Sequence, residues 1–542
     1  MDTPAPTRTR RAAIAVAALL ATSALTTGTG AGAAPVSATD TGSAPAGQRL
    51  TWKPCSGEDR KDFECSTMRA PLDYDRPDGR SISVALIRHR AEGGSTTPGT
   101  LFWNAGGPGG APTEALPGTY ALFPAEVRRD FDVVSMDPRG VGRSTPLRCF
   151  DRFADAAAVL SGVAPGFPVT RAEVRSSVAA YSAFDRACAK NGGPIQRHMS
   201  TANVARDMNL LREVLGLSTL DYYGPSYGTY LGATYLNLFP ERVGHIILDG
   251  NVPPQEWNDA REGKRHNTFI RIGSPQGALV GLRMMLSECG KVSARRCAFS
   301  AGSPRATERK YRTLLKRLRS EPVSVSKVPF SYALTASTVS SLLLFQNRNQ
   351  LGPGWKELTA LMQTMWERTT DPSAPVPASV RRVVKKLLSP PKTKGYPVQS
   401  QEGISGVLCS ESPNPSGPAS YLRQGRRVDG DTPYGLGLTW SWLAQPCAEW
   451  KARDTDAYAG PWDVPTPPIL VIGTLGDANT AYTGSLRMVE QLANARLLTE
   501  TGGGHTALLN KSACIDAYVV DYLRNGTLPP EGTVCDQDRK PF

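Results

Sequence analysis

Short apolar runs rich in β-branched and aromatic residues recur along this chain, and segments with helical periodicity separate them. The runs begin at residues 99, 131, 219, 244, 467 and 495, with the sequences GTLFWNAGG, FDVVSMD, TLDYYG, GHIILDG, PPILVIGT and ARLLTETGGG. An earlier run, SISVALIRHRA from Ser81, alternates like a half-exposed strand. Strands that alternate with helices favour a parallel sheet covered by helices on both faces. The sequence therefore predicts an α/β fold with a mostly parallel sheet.

The strand pattern is interrupted between residues 252 and 405. This segment holds basic helical stretches such as TERKYRTLLKRLRSE and WKELTALMQTMWE, and a proline-rich break at DPSAPVPAS. Ligands of such sheets bind at the carboxyl ends of the strands, so a helical insertion placed there would cover the site. We therefore expect a core segment at 49–251, a helical cap or lid at 252–405 and a second core segment at 406–542.

The N-terminal residues have the composition of an export signal. Arginines at positions 8, 10 and 11 precede an apolar run from Ala12 to about Leu25, and small residues follow. This pattern predicts a secretory signal peptide over residues 1–38, with a short pro-segment extending to about residue 48. No later run reaches the roughly 18 apolar residues of a membrane-spanning helix. We therefore expect a secreted, extracellular protein with no stable membrane anchor.

The chain has ten cysteines, an even number. In an exported protein this count predicts disulfide bonds rather than free thiols. Proximity along the chain suggests the pairs Cys55–Cys65, Cys149–Cys188, Cys289–Cys297, Cys409–Cys447 and Cys514–Cys535. The spacings C-x-x-C and H-E-x-x-H do not occur in the sequence, and there are only five histidines. We therefore expect no metal site and no cofactor.

The formal net charge of +13 raises the question of nucleic-acid binding. The basic residues are scattered, apart from short clusters such as RRVVKK at 381–386. They are not interleaved with the aromatic residues that stack on bases. We therefore expect a solvated basic surface, no nucleic-acid partner and a monomeric protein.

One short motif lies between a predicted strand and a predicted helix. In DYYGPSYGTYLG, residues 221–232, Gly224 and Gly228 flank Ser226 in the pattern G-x-S-x-G. The two glycines permit a tight strand-to-helix turn that leaves the serine hydroxyl projecting from the end of the sheet. Ser226 is therefore the candidate nucleophile.

A serine nucleophile needs a base to take its proton and a carboxylate to orient that base. His505 follows TETGGG, just past a late predicted strand, where a loop can return the imidazole to the edge of the sheet. The other histidines lie in less suitable positions, namely His89, His198, His245 and His266. Asp477, three residues after the strand ILVIGT, is the preferred acid, because the strand leading to His505 comes next. Asp249, in ILDGNVPP, is the rival acid.

An oxyanion hole completes such a site. In this arrangement it combines the amide of the residue after the nucleophile, here Tyr227, with an amide from the loop after an early strand. The sequence NAGGPGG at residues 104–110 supplies such a loop, and Gly107 is its candidate donor. Its glycines let the backbone approach a substrate carbonyl.

These motifs together resemble the secreted bacterial tripeptidyl aminopeptidases, on the proline-iminopeptidase branch of the α/β-hydrolases. The resemblance covers roughly residues 50 to 540 and is carried by NAGGPGG, DPRGVGRS, GPSYGTYLG, GDANT and GGGH. It departs from the family at Ala105, at Ala111 and Pro112, and at the segment from Asp477 to Ala481. The resemblance implies an α/β-hydrolase fold, a Ser226, Asp477 and His505 triad, and release of tripeptides from free N-termini of peptides or proteins.

Two further motifs have a less specific interpretation. Within DPRGVGRS, residues 137–144, we expect a turn held by an internal ion pair between Asp137 and the arginines. Aminopeptidase action also needs an acceptor for the substrate's ammonium group, and Glu411 in LCSESP is a candidate because Cys409 would anchor it. An esterase or lipase built on the same catalytic machinery is the alternative function.

Overall fold

The computed structural model describes residues 47–94, 99–388, 396–430 and 434–542. The predicted signal peptide, and all but the last residues of the pro-segment, lie outside the described residues. The strands within them are Lys53–Pro54 (β1), Glu64–Pro71 (β2), Ser81–His89 (β3), Gly99–Trp103 (β4), Phe131–Met136 (β5), Leu220–Pro225 (β6), Val243–Asp249 (β7), Val323–Val325 (β8), Val328–Phe330 (β9), Ile469–Gly476 (β10), Ala495–Gly503 (β11) and Val534–Cys535 (β12).

Ten of these strands form one sheet in the order β1-β2-β3-β5-β4-β6-β7-β10-β11-β12. Strands β1, β2, β3 and β5 pair antiparallel in succession. Every pairing from β5 through β4 to β12 is parallel. The mostly parallel sheet predicted from the apolar runs is therefore confirmed, and its carboxyl edge gathers the ends of β4, β6, β7, β10 and β11.

Both faces of this sheet are buried. In β7, Ile246 and Leu248 belong to one apolar cluster, whereas Ile247 between them belongs to another. In β10, Val471 belongs to the first cluster and its neighbour Ile472 to the second. Since successive strand residues point to opposite faces, continuous apolar runs are what a sheet covered on both sides requires.

The helices pack on the two faces and fill the long stretch between β7 and β10. They are Pro112–Thr119 (α1), Ala125–Asp130 (α2), Phe153–Leu160 (α3), Arg171–Asn191 (α4), Thr201–Val214 (α5), Tyr227–Leu238 (α6), Pro254–Trp257 (α7), Thr268–Arg271 (α8), Ser274–Gly290 (α9), Pro304–Ser320 (α10), Tyr332–Leu342 (α11), Trp355–Arg368 (α12), Ala378–Leu388 (α13), Gln401–Glu411 (α14), Ala419–Asp429 (α15), Leu436–Leu443 (α16), Tyr482–Gln491 (α17) and Ala513–Asn525 (α18). Among the residues with described structure, no helix has the length and apolar character needed to cross a membrane.

We call residues 250–468, between β7 and β10, the helical insertion. It contains α7 to α16 and the short hairpin β8–β9. The helices continue past residue 405, and the sheet resumes only at Ile469. The domain limits expected at residues 251 and 405 therefore remain predictions.

Five disulfide bonds connect the described cysteines: Cys55–Cys65, Cys149–Cys188, Cys289–Cys297, Cys409–Cys447 and Cys514–Cys535. The pairing expected from proximity along the chain is confirmed. Each bridge closes a short loop, the longest with a sequence separation of 39 residues.

The turn DPRGVGRS is not held by an internal ion pair, contrary to expectation. The carboxylate of Asp137 accepts hydrogen bonds from the backbone amides of Thr113 and Arg143. Arg139 instead forms a two-point ion pair with Asp207 on α5, at 2.8 and 2.6 Å, and both side chains are fully buried. A buried guanidinium needs such a partner, and the partner lies 68 residues away in sequence.

Candidate active site

Ser226 lies at the turn between β6 and α6, as the G-x-S-x-G motif predicts. Its backbone has φ 59° and ψ −130°, a positive φ that is unusual for a residue other than glycine. A Cβ on Gly224 would lie 2.4 Å from the ring of Tyr222 and 2.5 Å from the carbonyl oxygen of Gly228. Close packing at the turn therefore requires glycine at position 224, whereas a Cβ on Gly228 would lie no closer than 3.2 Å to its neighbours. Strain held at such a position is typical of functional sites.

The structure brings Asp477 and His505 into contact at the carboxyl edge of the sheet. Both carboxylate oxygens of Asp477 lie 2.9 Å from Nδ1 of His505, and each residue is about 1 % exposed. The backbone amides of Asn479 and Thr480 donate to Oδ1 of Asp477, each at 2.9 Å. The amide of Thr506 donates to Oδ2 at 3.2 Å. The carboxylate is therefore fixed from several sides and faces the imidazole.

The rival acid, Asp249, has a different position. Its carboxylate accepts hydrogen bonds from the amides of Ala507 and Leu508, at 2.9 and 3.0 Å, and from the hydroxyl of Tyr223 at 2.9 Å. Burial raises the pKa of this carboxyl group to about 6. Asp249 therefore holds the loop that follows His505, whereas Asp477 contacts the ring itself.

Ser226 and His505 line one cavity of about 430 Å³, measured with its open mouth. The rest of its lining is mainly apolar and consists of Trp103, Ala105, Ala115, Thr119, Pro225, Leu351, Thr506, Leu508 and Leu509. Leu351 belongs to the helical insertion, so this segment supplies one wall. A concave, mainly apolar cavity with a few polar groups is the usual form of a small-molecule or side-chain site.

The loop at residues 104–110 approaches the nucleophile turn closely. A Cβ on Gly106 would lie 2.8 Å from the carbonyl oxygen of Pro225, 3.0 Å from Cβ of Ser226 and 3.4 Å from the amide nitrogen of Tyr227. The nearest atoms to a Cβ on Gly107 would belong to the loop itself, at Gly109 and Gly110. Both predicted oxyanion residues, Tyr227 and Gly107, therefore lie at or next to this contact.

The loop that carries His505 is anchored to the helical insertion. The amide of His505 donates to the carbonyl of Leu344 at 2.7 Å. The side-chain amide of Asn510 donates to the carbonyls of Leu344, His505 and Thr506, each at 3.1 Å. The carbonyl oxygen of the same side chain accepts from the amide of Gln346 at 2.8 Å. The insertion therefore contributes directly to the position of the imidazole.

Glu411 does not reach this cavity. It is 4 % exposed, and its carboxylate accepts hydrogen bonds from the amide and hydroxyl of Thr201, at 2.7 and 2.6 Å, and from the indole of Trp257 at 3.0 Å. The Thr201 hydroxyl also contacts the hydroxyl of Tyr227. Burial raises the pKa of Glu411 to about 7. The expected contact with a substrate amine is therefore not supported, because protein donors occupy this carboxylate.

Sequence reasoning missed three residues of the site. Thr480 donates from its hydroxyl to Asp477 at 3.0 Å and lies 3.4 Å from Nδ1 of His505. Its place three residues after an aspartate, in a turn, is a local signal that could have found it. Asn510 and Leu351 carry no such signal, since their role depends on packing between distant segments.

The chain matches two protein-family models. Residues 106–268 match the model described as alpha/beta hydrolase fold. Residues 432–535 match the model described as TAP-like protein. The first match covers residues 106–110 of the loop and Ser226, and the second covers Asp477 and His505.

Several known proteins are similar to the chain over most of its length. Serine protease Hip1 of Mycobacterium tuberculosis is 29 % identical over 517 residues, covering 90 % of this chain and 91 % of its own. Tripeptidyl aminopeptidase of Streptomyces lividans is 27 % identical over 500 residues, covering 90 % and 86 %. Carboxylesterase B of M. tuberculosis is 29 % identical over 484 residues, covering 87 % and 86 %.

Among solved structures, an alpha/beta hydrolase fold protein from Chitinophaga pinensis aligns with 82 % of this chain and 94 % of its own, with 10 % identity and a TM-score of 0.33. The observed sheet order, the G-x-S-x-G turn and the two family models agree on the fold. The chain is a serine hydrolase of the α/β-hydrolase fold with a TAP-like C-terminal segment, related to the bacterial tripeptidyl aminopeptidases.

Proposed function

We propose that this protein is a secreted serine exopeptidase that releases tripeptides from the free N-termini of peptides or proteins. The observation that carries the proposal is the convergence of Ser226 and His505 on one cavity, with Asp477 bonded to the far side of the imidazole. Similarity to a tripeptidyl aminopeptidase over 90 % of the chain supports the substrate class. Five disulfide bonds support an oxidising, extracellular location.

The proposed reaction proceeds through an acyl-enzyme. His505 removes the proton of the Ser226 hydroxyl as the oxygen attacks the peptide carbonyl, and Asp477 stabilises the resulting imidazolium. The amides of Tyr227 and Gly107 donate to the oxyanion of the tetrahedral intermediate. His505 then protonates the leaving amine, and water hydrolyses the ester to release the tripeptide. No metal or cofactor takes part in these steps.

The lining of the cavity supports a preference for an apolar residue beside the scissile bond. Trp103, Leu351 and Leu508 offer an apolar wall next to Ser226. Burying an aliphatic side chain there would contribute about 1.5 to 3 kcal/mol. A charged side chain would lose its hydration without gaining a partner.

Esterase action is the second candidate, because Carboxylesterase B has the same 29 % identity to this chain as the Hip1 protease, over 484 residues against 517. Three substrates distinguish the two functions: a chromogenic amide of a free tripeptide, its N-acetylated twin and a short acyl ester. We expect rapid cleavage of the first substrate and slow cleavage of the second. Equal rates on the two amides would refute aminopeptidase action, and hydrolysis of the ester alone would favour the esterase.

A nucleophile variant gives the matched control for these assays. Ser226→Ala should fold normally and lose nearly all activity on every substrate, because the hydroxyl serves the reaction and does not fill the core. Thermal unfolding of this variant and the wild type should coincide. Retention of most activity would refute the assignment of Ser226.

A further inference from the structure

Outside the catalytic cavity, three side chains that can bind metal ions converge from distant parts of the chain. Asp73 follows β2, His198 precedes α5, and Asp456 lies in the connection between α16 and β10. One potential ligand atom from each lies within 4.8 Å of the other two. All three residues are partly exposed, so an ion from solvent can reach them.

These groups approach one another without pairing. In the described part of the chain, no hydrogen bond or ion pair joins the imidazole of His198 to either carboxylate. Nδ1 of His198 is buried and has no hydrogen-bond partner. The carboxylate of Asp456 has a long contact of 3.4 Å with the side-chain amide of Asn203. The carboxylate of Asp73 accepts from the amide of Asp75 at 3.0 Å and from Arg76 at 2.8 Å, but not from the imidazole. The three groups therefore lie near one another with a gap between their potential ligand atoms.

The size of this gap suits an ion. Nitrogen and oxygen ligands lie about 2.0 to 2.2 Å from a tetrahedral Zn²⁺, so two ligands of one ion are about 3.3 to 3.6 Å apart. The three ligand atoms lie within 4.8 Å of one another, so side-chain rotations that move them by about 1 Å would bring them to this spacing. The three segments therefore already place their ligand atoms close to the spacing that one ion requires.

The charge of the surroundings also favours a cation. Asp454 adds a third carboxylate beside the group and accepts hydrogen bonds from the amide of Ser200 and from Asn203. The buried cation Arg139 donates to the backbone carbonyl of His198 at 3.3 Å, and its charge is paired with Asp207. Asp73 is paired with Arg76, but this arginine side chain is 81 % exposed and solvent screens its charge.

We propose that Asp73, His198 and Asp456 form a binding site for one divalent transition-metal ion of the Zn²⁺ type. An imidazole with two carboxylates is a donor set that suits zinc, and water would complete the coordination. The site ties three loops together beside the start of α5, where Thr201 contacts Tyr227. The ion is structural and takes no part in peptide cleavage. No sequence motif marks this site, because its ligands lie far apart along the chain.

Metal content and thermal unfolding of the mature protein test this proposal. After saturation with Zn²⁺ and exhaustive dialysis, we expect about one zinc per chain by elemental analysis. Free Zn²⁺ at about 100-fold above its Kd should raise the Tm by roughly 2 to 3 °C for a chain of this length. EDTA should reverse the shift.

Variants make the test specific to these ligands. His198→Gln and Asp456→Asn should each lose the bound zinc and the Tm shift. His266→Gln, whose ring pairs with Glu262 at 3.0 Å in the helical insertion, is the matched control and should keep both. An unchanged shift in Asp456→Asn would overturn the proposal even if His198→Gln failed to fold. Stabilisation by Ca²⁺ but not by Zn²⁺ would overturn the assigned class of metal.

Discussion

Replacement of Asp477 by asparagine tests the proposed acid most directly. Oδ1 of Asp477 accepts the amides of Asn479 and Thr480, whereas Oδ2 accepts the amide of Thr506. An asparagine will keep its oxygen toward the two donors at 2.9 Å and direct its NH₂ group toward the remaining partners. That NH₂ group then lies beside Nδ1 of His505, in place of one of the two carboxylate oxygens at 2.9 Å.

The expected loss of kcat follows from the histidine tautomer that this contact favours. Donation from the NH₂ group to Nδ1 favours the tautomer of His505 with its proton on Nε2, which cannot accept the proton of Ser226, and the charge that stabilises the imidazolium is lost. Loss of the correct tautomer costs about 10⁴-fold in kcat in a well-studied serine protease. This equals about 5.4 kcal/mol of transition-state stabilisation at 1.36 kcal/mol for each factor of ten. The amide of Thr506 also loses its acceptor, which costs about 1 to 3 kcal/mol of folding stability.

The assay compares kcat on a free tripeptide amide for Asp477→Asn and for Asp249→Asn, with thermal unfolding as the control for folding. Asp249 is the matched control because it is an equally buried acid of the same region that bonds backbone amides and not the imidazole. We expect a loss of about 10⁴-fold for the first variant and a much smaller loss for the second. A greater loss for Asp249→Asn, in folded protein, would refute the choice of acid.

Three further perturbations have defined outcomes. Burial raises the pKa of Asp185 from 3.8 to about 8, so its contribution to stability is present below pH 4 and is lost as the pH rises toward 8. Between pH 5 and pH 8, the free energy of unfolding of Asp185→Asn should therefore rise relative to that of the wild type by on the order of 2 to 4 kcal/mol. Denaturant unfolding at several pH values measures this difference, and a difference that does not change with pH would contradict the prediction. Asn510→Ala should lower kcat by about 10- to 100-fold with little change in KM, because the loop that carries His505 loses its anchor. An unchanged kcat would exclude a positioning role for Asn510. Removing the Cys409–Cys447 bridge, with its sequence separation of 38 residues, should lower the free energy of unfolding by about 4 kcal/mol while activity at moderate temperature persists. Denaturant titration checks this value, and an unchanged midpoint would contradict it.

Much of the fold could be predicted because its signals are local. Each strand of the parallel sheet appears as a short apolar run, since a strand buried on both faces needs apolar residues at every position. The turn at Ser226 is visible because only small residues fit beside a strand-to-helix turn. The disulfide pairs agree with the simplest pairing along the chain, because each bridge closes a short loop.

Local sequence signals identified only part of the candidate site. Asp477 and Asp249 both follow strands, and the sequence favoured Asp477 only through the order of the segments. In the structure Asp249 pairs in register with Ile472 of the neighbouring strand, and its side chain turns toward the amides of residues 507 and 508. The direction of each carboxylate depends on this register, which no local pattern encodes.

The sequence by itself determined the α/β architecture, the strained turn at Ser226 and the candidate base His505, because these depend on periodicity and turn chemistry within a few residues. Tertiary structure alone decided that Glu411 is buried against Thr201 and that the helical insertion holds the His505 loop through Asn510. Both contacts join segments more than 150 residues apart. Such contacts arise from the order of strands in the sheet and the packing of the insertion over it, so they follow from the whole fold and not from any one stretch of chain.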